Sequence, residues 1–200
     1  MKGYLTKIFI VAAGSLMMSI GIALYLNAGL GADPLTVFTS GVAHTTGLTV
    51  GKASLAIMAV LICVLFFLDR KRIGLGTVLN AGIIGVSVDI FLGLGFLKVN
   101  SLAASVIMLI ITAVLFGMGV GVYISAGLGE GAVDAIMVLL HNRTKINIRW
   151  IKIGLDICLL TLGALLGGKI GVGTVVGVLA TGPVIDQTLK WLKNRQHLTS

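Results

Sequence analysis

The chain of 200 residues is 57% hydrophobic and 11% charged, with a formal net charge of +8. A soluble domain of this length could not bury so much apolar surface, so the composition excludes a soluble fold. The basic residues lie in the gaps between apolar runs, which is typical of membrane-protein loops and argues against a nucleic-acid partner. We therefore expect one membrane domain, residues 1–200, whose first partner is the lipid bilayer.

Six apolar runs approach the roughly 20 residues that a helix needs to cross a bilayer. They cover residues 5–26, 53–68, 73–97, 102–124, 151–166 and 170–189. Cys63 and Cys158 lie inside these runs and are interpreted as packing residues rather than as a disulfide or metal site.

Two shorter helices follow the first and fourth runs, at residues 33–47 and 133–145. Asp33 is a good N-cap, and Pro34 suits the first helical position. Roughly a dozen residues are too few to cross a bilayer, so we expect these helices to be re-entrant or interfacial. The predicted fold class is an all-α polytopic membrane protein with six transmembrane helices and two short helices.

The two halves of the chain share a pattern. Residues 25–34 read YLNAGLGADP, and residues 123–132 read YISAGLGEGA. Further on, residues 73–77 read IGLGT and residues 170–174 read IGVGT. Because each half holds three spans, the second half would enter the membrane from the opposite side. We predict inverted-topology repeats at residues 5–97 and 102–195, an arrangement typical of secondary transporters.

The basic residues indicate the orientation, since cytoplasmic loops are enriched in lysine and arginine. With the N-terminus in the cytoplasm, twelve of the fifteen basic residues fall inside: Lys2, Lys7, Arg70, Lys71, Arg72, Arg143, Lys145, Arg149, Lys152, Lys190, Lys193 and Arg195. The other three fall outside: Lys52, Lys98 and Lys169. We expect a multi-pass protein of the bacterial inner membrane with both termini in the cytoplasm.

Ionisable groups inside apolar segments cost a few kcal/mol to insert and are therefore candidates for function. Helix breaks at glycine are a second class of candidate, since transporter sites form there. The candidate substrate- or ion-binding residues are Gly29, Gly31, Asp33, Pro34, Thr77, Asn80, Asp89, Gly127, Gly129, Glu130, Asp134, Asp156, Thr174 and Asp186.

Asp33 fits two roles, the cap of the first short helix and a ligand contact. Glu130 is treated as its partner in the second half, and Asp134 follows one helical turn later. We place Asp33 and Asp89 towards the outer face and Glu130, Asp134 and Asp186 towards the inner face. The pattern predicts two symmetry-related acidic clusters that flank a central cavity.

Asp156 has no counterpart in the first half, which makes it either a titrating residue or a partner of Lys152, one turn away. The helix starts after the breaks also favour anions. A zwitterion, and a small anion with a coupling cation, both remain open as ligands. No nucleophile, metal-ligand or phosphate-loop motif is present, so we expect no enzymatic activity, no cofactor and no resident metal.

The run YLNAGLGADP at residues 25–34, the GLGT block at 74–77 and the region of Asp89 resemble the bacterial YczE/YyaS/YitT family of membrane proteins. The resemblance covers nearly the whole chain and is strongest for the YczE branch; we expect no counterpart of the large soluble C-terminal domain of YitT-type members. It implies a bacterial inner-membrane protein in which Gly29, Gly31, Asp33 and Pro34 matter, and no settled activity. Ala132 departs from the proline of the motif.

We expect a small secondary transporter or exporter of an unidentified small molecule. Six short spans leave little lateral bulk, which favours a homo-oligomer. Two alternatives are a substrate-binding membrane subunit of a larger transport complex and a membrane assembly or chaperone factor without a ligand.

Overall fold

The computed structural model describes residues 2–94 and 101–198, and its regular structure in those ranges is helical. The helices are α1 (Lys2–Ala28), α2 (Pro34–Thr46), α3 (Val50–Asp69), α4 (Leu75–Gly93), α5 (Leu102–Ser125), α6 (Ala132–Thr144), α7 (Ile148–Leu165) and α8 (Val172–Leu198). A single 3-10 turn, Arg70–Arg72, follows α3. The all-α prediction is confirmed. The predicted end of the third span at residues 95–97 and the connector at 98–100 lie outside the described residues.

Five helices of the described ranges are long and apolar enough to cross a membrane: α1, α3 with the turn that follows it, α4, α5 and α8. The run predicted at residues 151–166 forms α7, which has 18 residues and carries Arg149, Lys152 and Asp156. Its only 18-residue stretch therefore holds three charges, whereas each of the other five long helices contains an 18-residue apolar stretch with at most two. By length and composition, the structure therefore supports five spans.

Large apolar side chains point away from the bundle along these helices. Phe9 is 75% exposed, Phe67 80% and Leu165 79%. Exposing such an apolar surface to water would be energetically unfavourable, whereas contact with apolar lipid tails is not. The exposed side chains are therefore those expected of a membrane-embedded bundle. Cys63 and Cys158 are also exposed, so they lie on this outer surface and the packing role expected for them is wrong.

Glycines end the two helices that precede the breaks. Gly29 and Gly31 adopt φ of 68° and 94° after α1, and Gly127 and Gly129 adopt 61° and 132° after α5. These conformations are open to glycine and disfavour other residues, which explains why the chain turns at these four positions.

The centre of the bundle is the pair α1 and α5, flanked by α4 on α1 and by α8 on α5. Small residues allow the central pair to approach closely: a Cβ at Gly14 would lie 2.6 Å from the backbone nitrogen of Tyr123. Outside this layer, α2 packs on α7 and α3 packs on α4. The two short helices, α2 and α6, each contact both α3 and α7.

Candidate functional site

Each glycine break of one half packs against a helix start of the other half. Gly173 donates its backbone N–H to the Leu30 carbonyl at 2.7 Å, and Gly76 donates to the Leu128 carbonyl at 2.8 Å. These contacts leave no room for a side chain, since a Cβ at Gly31 would lie 2.5 Å from the backbone nitrogen of Gly171. The two breaks are thus held by equivalent backbone contacts.

Thr77 and Thr174 stabilise those helix starts. Thr77 Oγ1 accepts from the Gly74 N–H at 3.2 Å, and Thr174 Oγ1 accepts from the Gly171 N–H at 3.3 Å. Thr77 also donates to the Glu130 carbonyl at 2.6 Å, which ties the start of α4 to the second break. Both threonines are buried, so we assign them to the packing of the breaks.

A cavity of about 100 Å³ lies among α2, α3, α4 and α6, with α1 and α5 behind it. Its polar lining consists of Asp33, Thr36, Thr39, Ser54, Asn80 and Asp134. Its apolar lining includes Met18, Ile22, Val50, Met58, Ile84, Val88 and Phe116. Among the described residues no lysine, arginine or histidine lines this cavity, so the site is acidic.

Asp33 is the N-cap of α2 and is only 8% exposed. One carboxylate oxygen, Oδ1, accepts from the Thr36 N–H at 3.2 Å, while Oδ2 is buried without a hydrogen-bond partner. Burial raises the pKa of Asp33; the hydrogen bonds from Thr36 and Leu35 oppose that rise, and the charge of Asp156 adds to it. The capping role is observed, and the second oxygen remains available to a ligand.

Asp134 lies in the first turn of α6 and lines the same cavity. Unlike Asp33, Asp134 is an exposed residue, but the atoms packed around its carboxyl raise its pKa; the charge of Lys152 opposes the rise, and the charges of Glu130 and Asp156 add to it. Within the described residues its carboxylate forms no hydrogen bond or ion pair. Both short helices therefore bring an aspartate of their N-terminal end to one cavity.

Asn80 supplies a neutral polar group from α4. Its amide nitrogen donates to Ser15 Oγ at 2.9 Å and contacts the Met18 sulfur at 3.6 Å. Because both neighbours occupy the donor side, the amide carbonyl is the part of Asn80 that can accept from a ligand.

The sequence pairs Glu130 with Asp33, and the structure corrects this register by one residue. The N-cap of α6 is Gly131, the positional counterpart of Asp33, and it has no side chain to point into the cavity. The Glu130 carboxylate lies 3.5 Å from the Arg72 guanidinium instead. Glu130 therefore belongs to the break and its charged neighbours.

The other candidate acids lie outside the cavity. Asp89 accepts from the Thr49 hydroxyl and, at 2.7 Å, from the Gly51 N–H at the start of α3. Asp186 pairs with Lys190 at 2.7 Å, and Asp156 with Lys152 at 2.9 Å. The expected separation of Asp33 and Asp134 into an outer and an inner cluster is wrong, because both short helices begin at the same cavity.

The remaining candidates shape the backbone. Gly29 and Gly127 have positive φ with open space where a Cβ would be, and Pro34 is buried in the first turn of α2. Sequence reasoning missed Thr36, Thr39 and Ser54 as cavity residues. Their signal was polar side chains inside apolar helices, which is weak because such groups often bond their own backbone.

An apolar helical surface around an acidic interior cavity defines a multi-pass helical membrane protein. The chain belongs to the family of unknown function DUF6198, whose sequence profile matches residues 5–190. Together with the relatives YczE and YyaS, this match confirms the YczE/YyaS part of the resemblance noted in the sequence.

Relatives from two bacteria agree with the assignment. The "Uncharacterized membrane protein YczE" of Bacillus subtilis (strain 168) is 33% identical over 180 residues, or 88% of this chain and 82% of the relative. An "Uncharacterized protein" of Haemophilus influenzae (strain ATCC 51907 / DSM 11121 / KW20 / Rd) is 32% identical over 185 residues, or 91% and 83%. The "Uncharacterized protein YyaS" of B. subtilis is 28% identical over 174 residues, or 86% and 87%. No solved structure matches the chain.

Proposed function

We propose that this protein is a small secondary transporter of the bacterial inner membrane, built from inverted repeats at residues 5–97 and 102–195. The observation that carries the proposal is the pair of equivalent break contacts, Gly173 to Leu30 and Gly76 to Leu128, together with an acidic cavity lined by the first turns of both short helices. Transporter sites form where helices break at the interface of such repeats.

The position of α7 supports a sixth crossing despite its charges. Near its start, Arg143 donates to the Leu68 carbonyl at the end of α3. Just beyond its end, the Leu166 carbonyl accepts from Thr45 at the end of α2. Lys152 and Asp156 pair with each other, which lowers the cost of placing both in a membrane. With six spans and the N-terminus inside, α3 starts at the outer end and α7 at the inner end.

The same scheme makes α2 and α6 re-entrant rather than interfacial. Their first turns, with Asp33 and Asp134, line the central cavity. Their last turns adjoin the ends of α7 and α3, respectively, through the contacts of Thr45 and Arg143. A short helix of this kind starts at the site and ends at one membrane face, which is the geometry of a discontinuous transporter helix.

The two halves differ in one contact, and this difference supports alternating access. At the outer end, Asp89 caps the start of α3, and α3 packs along α4. At the inner end, its counterpart Asp186 pairs with Lys190, and among the described residues α7 makes little contact with α8. We infer that the observed state is closed to the outside. In the alternate state, Asp186 lies at the start of α7 beside Arg149, and Asp89 is released from the start of α3.

The test measures from which side the cavity can be reached. A Ser54→Cys variant, with Cys63 and Cys158 replaced by alanine, is treated with a membrane-impermeant maleimide in intact cells and in inside-out vesicles. We expect the maleimide to label Ser54→Cys from both sides. Labelling from outside should increase in the Asp89→Asn variant and decrease in the Asp186→Asn variant. Labelling from one side only, unchanged in both variants, would contradict alternating access.

A further inference from the structure

We propose that the cavity among α2, α3, α4 and α6 binds a small organic monocation, with Asp33 and Asp134 as its acidic ligands. The transport of that cation rests on the proposed function, while its binding can be tested without it. Four features of the cavity lead to this class of ligand.

The first feature is the second oxygen of Asp33. Asp33 is 8% exposed, and its Oδ2 lies buried without a hydrogen-bond partner. A buried carboxylate oxygen without a hydrogen-bond donor is energetically costly. A ligand that brings a donor to Oδ2 would therefore stabilise the site. A cationic N–H or a positively charged methylammonium group would meet this need.

The second feature is that the carboxylate and amide groups of the cavity present acceptors, beside the hydroxyls of Thr36, Thr39 and Ser54, which can donate or accept. Asp134 forms no hydrogen bond or ion pair within the described residues, and the Asn80 donors are directed to Ser15 and Met18. No basic side chain of the described chain lines the cavity. Three acceptors without an opposing cation select a ligand that carries donors or positive charge.

The third feature excludes an anion. Helix starts attract anions, but here the chain's own carboxylates occupy that role: Asp33 accepts from the Thr36 N–H, and Asp134 lies in the first turn of α6. A second negative group would meet two acids and no base. This removes the free anion from the ligands that the sequence left open.

The fourth feature favours an organic ion over a metal ion. Most of the wall is hydrocarbon, including Met18, Ile22, Val88 and the ring of Phe116. Hard metal ions need about six oxygen ligands, whereas an alkylated cation gains from apolar walls and from an aromatic face. The volume of about 100 Å³ limits the ligand to a few non-hydrogen atoms.

The charged groups around the cavity determine how many cations it can bind. Asp156 lies close enough to affect Asp33 and Asp134, but it is paired with Lys152 at 2.9 Å, and Glu130 has Arg72 within 3.5 Å. Asp33 and Asp134, the two carboxylates that line the cavity, thus have no basic partner in contact within the described residues. One monocation neutralises one of them, and the other can keep a proton.

The binding experiment uses the purified full chain in detergent and measures the apparent melting temperature. Methylguanidinium chloride is compared with methylurea, its neutral analogue of similar shape, and with sodium chloride and sodium acetate at the same ionic strength. With methylguanidinium alone, we expect the melting temperature to rise by a few degrees and then to saturate, because a ligand that binds the folded state stabilises it by mass action.

Asp33→Asn is the informative variant, because asparagine also caps helices well and only the charge is lost. We expect at least about tenfold weaker binding in Asp33→Asn, a change of about 1.4 kcal/mol in binding free energy. Asp134→Asn should weaken binding in the same direction, which keeps the test usable if one variant folds poorly. Asp69→Asn, which removes an acid outside the cavity, should bind normally.

Several results would overturn the proposal: equal shifts with methylurea, a shift with sodium or acetate but not with methylguanidinium, or unchanged binding in both cavity variants. Uptake of labelled methylguanidinium into proteoliposomes separates this inference from the transport proposal. Binding without uptake would refute transport and leave the cation site. Uptake of another class of solute, without methylguanidinium binding, would refute the cation site and leave transport.

Discussion

Asp33 uses its two carboxylate oxygens for different purposes. Oδ1 caps α2, a contact worth about 1 kcal/mol in typical helices. Oδ2 is buried and has no hydrogen-bond partner among the described residues. One residue thereby joins the folding of the short helix to the chemistry of the cavity.

The ionisation of Asp33 makes a prediction about pH. Burial raises the pKa of Asp33 above its ordinary value of about 4, so protons compete for this carboxylate at higher pH than at an exposed aspartate. The charge of Asp156, which is paired with Lys152, adds to this rise, and the pKa of Asp134, on the same cavity, shifts in the same direction. We expect methylguanidinium affinity to fall as the pH is lowered from about 8 to about 5. Titration calorimetry would measure this, and an affinity that rises on acidification would contradict it.

The glycines of the breaks make a prediction about stability. Gly31 and Gly129 combine φ of 94° and 132° with neighbours that a Cβ would meet at 2.5 and 2.7 Å. We expect Gly31→Ala and Gly129→Ala each to destabilise by about 2 kcal/mol or more, measured as a lower melting temperature in detergent. The matched control Gly29→Ala has open space and should cost only about 1 kcal/mol. Equal losses in all three variants would argue against the packing of the breaks.

At the scale of elements, the two halves use similar helices in different contacts. A Cβ at Gly85 in α4 would lie 2.1 Å from Leu55 Cγ in α3, whereas a Cβ at its counterpart Gly182 in α8 would meet nothing within 4 Å. The helix pair is therefore packed in one half and apart in the other. In the proposed exchange, α7 would approach α8 as α3 now approaches α4.

Alanine at these two glycines should bias the exchange in opposite directions. Gly85→Ala crowds the observed state and should increase labelling of Ser54→Cys from outside. Gly182→Ala crowds only the exchanged state and should decrease labelling of Ser54→Cys from outside, with little loss of stability. A bias of about 1 kcal/mol changes the ratio of states about fivefold, which labelling rates can resolve. Parallel shifts in both variants would be inconsistent with the exchange.

At the scale of the whole molecule, the orientation is the property to test. A reporter that is active only in the periplasm should give activity when fused after Lys98 and none when fused after Lys145, because we place these positions outside and inside. The physical reason is the excess of basic residues in the loops assigned to the cytoplasm. Western blots of both fusions control for expression, and the reverse pattern of activity would refute the orientation.

The sequence by itself determined the elements of this protein. Apolar runs, the Asp33-Pro34 helix start and the glycine breaks are local signals, and α1 to α7 begin and end within a few residues of their predicted positions, whereas α8 continues nine residues beyond the predicted end at 189, to Leu198. Family membership also follows from the linear pattern at residues 25–34. The sequence predicts six spans, whereas the structure supports five by length and composition, because the charges of α7 lower its apolar character. Where α7 lies in the bundle depends on its contacts with neighbouring helices.

Only the tertiary structure decided which acids share a site. Asp33 and Asp134 lie about half a chain apart, and they line the same cavity because two short helices begin there. Asp89 and Asp186 occupy matching sequence positions, yet one caps a helix and the other pairs with a neighbouring lysine. Local sequence fixes which backbone conformations are favourable, whereas the partner of a buried charge depends on packing between distant segments.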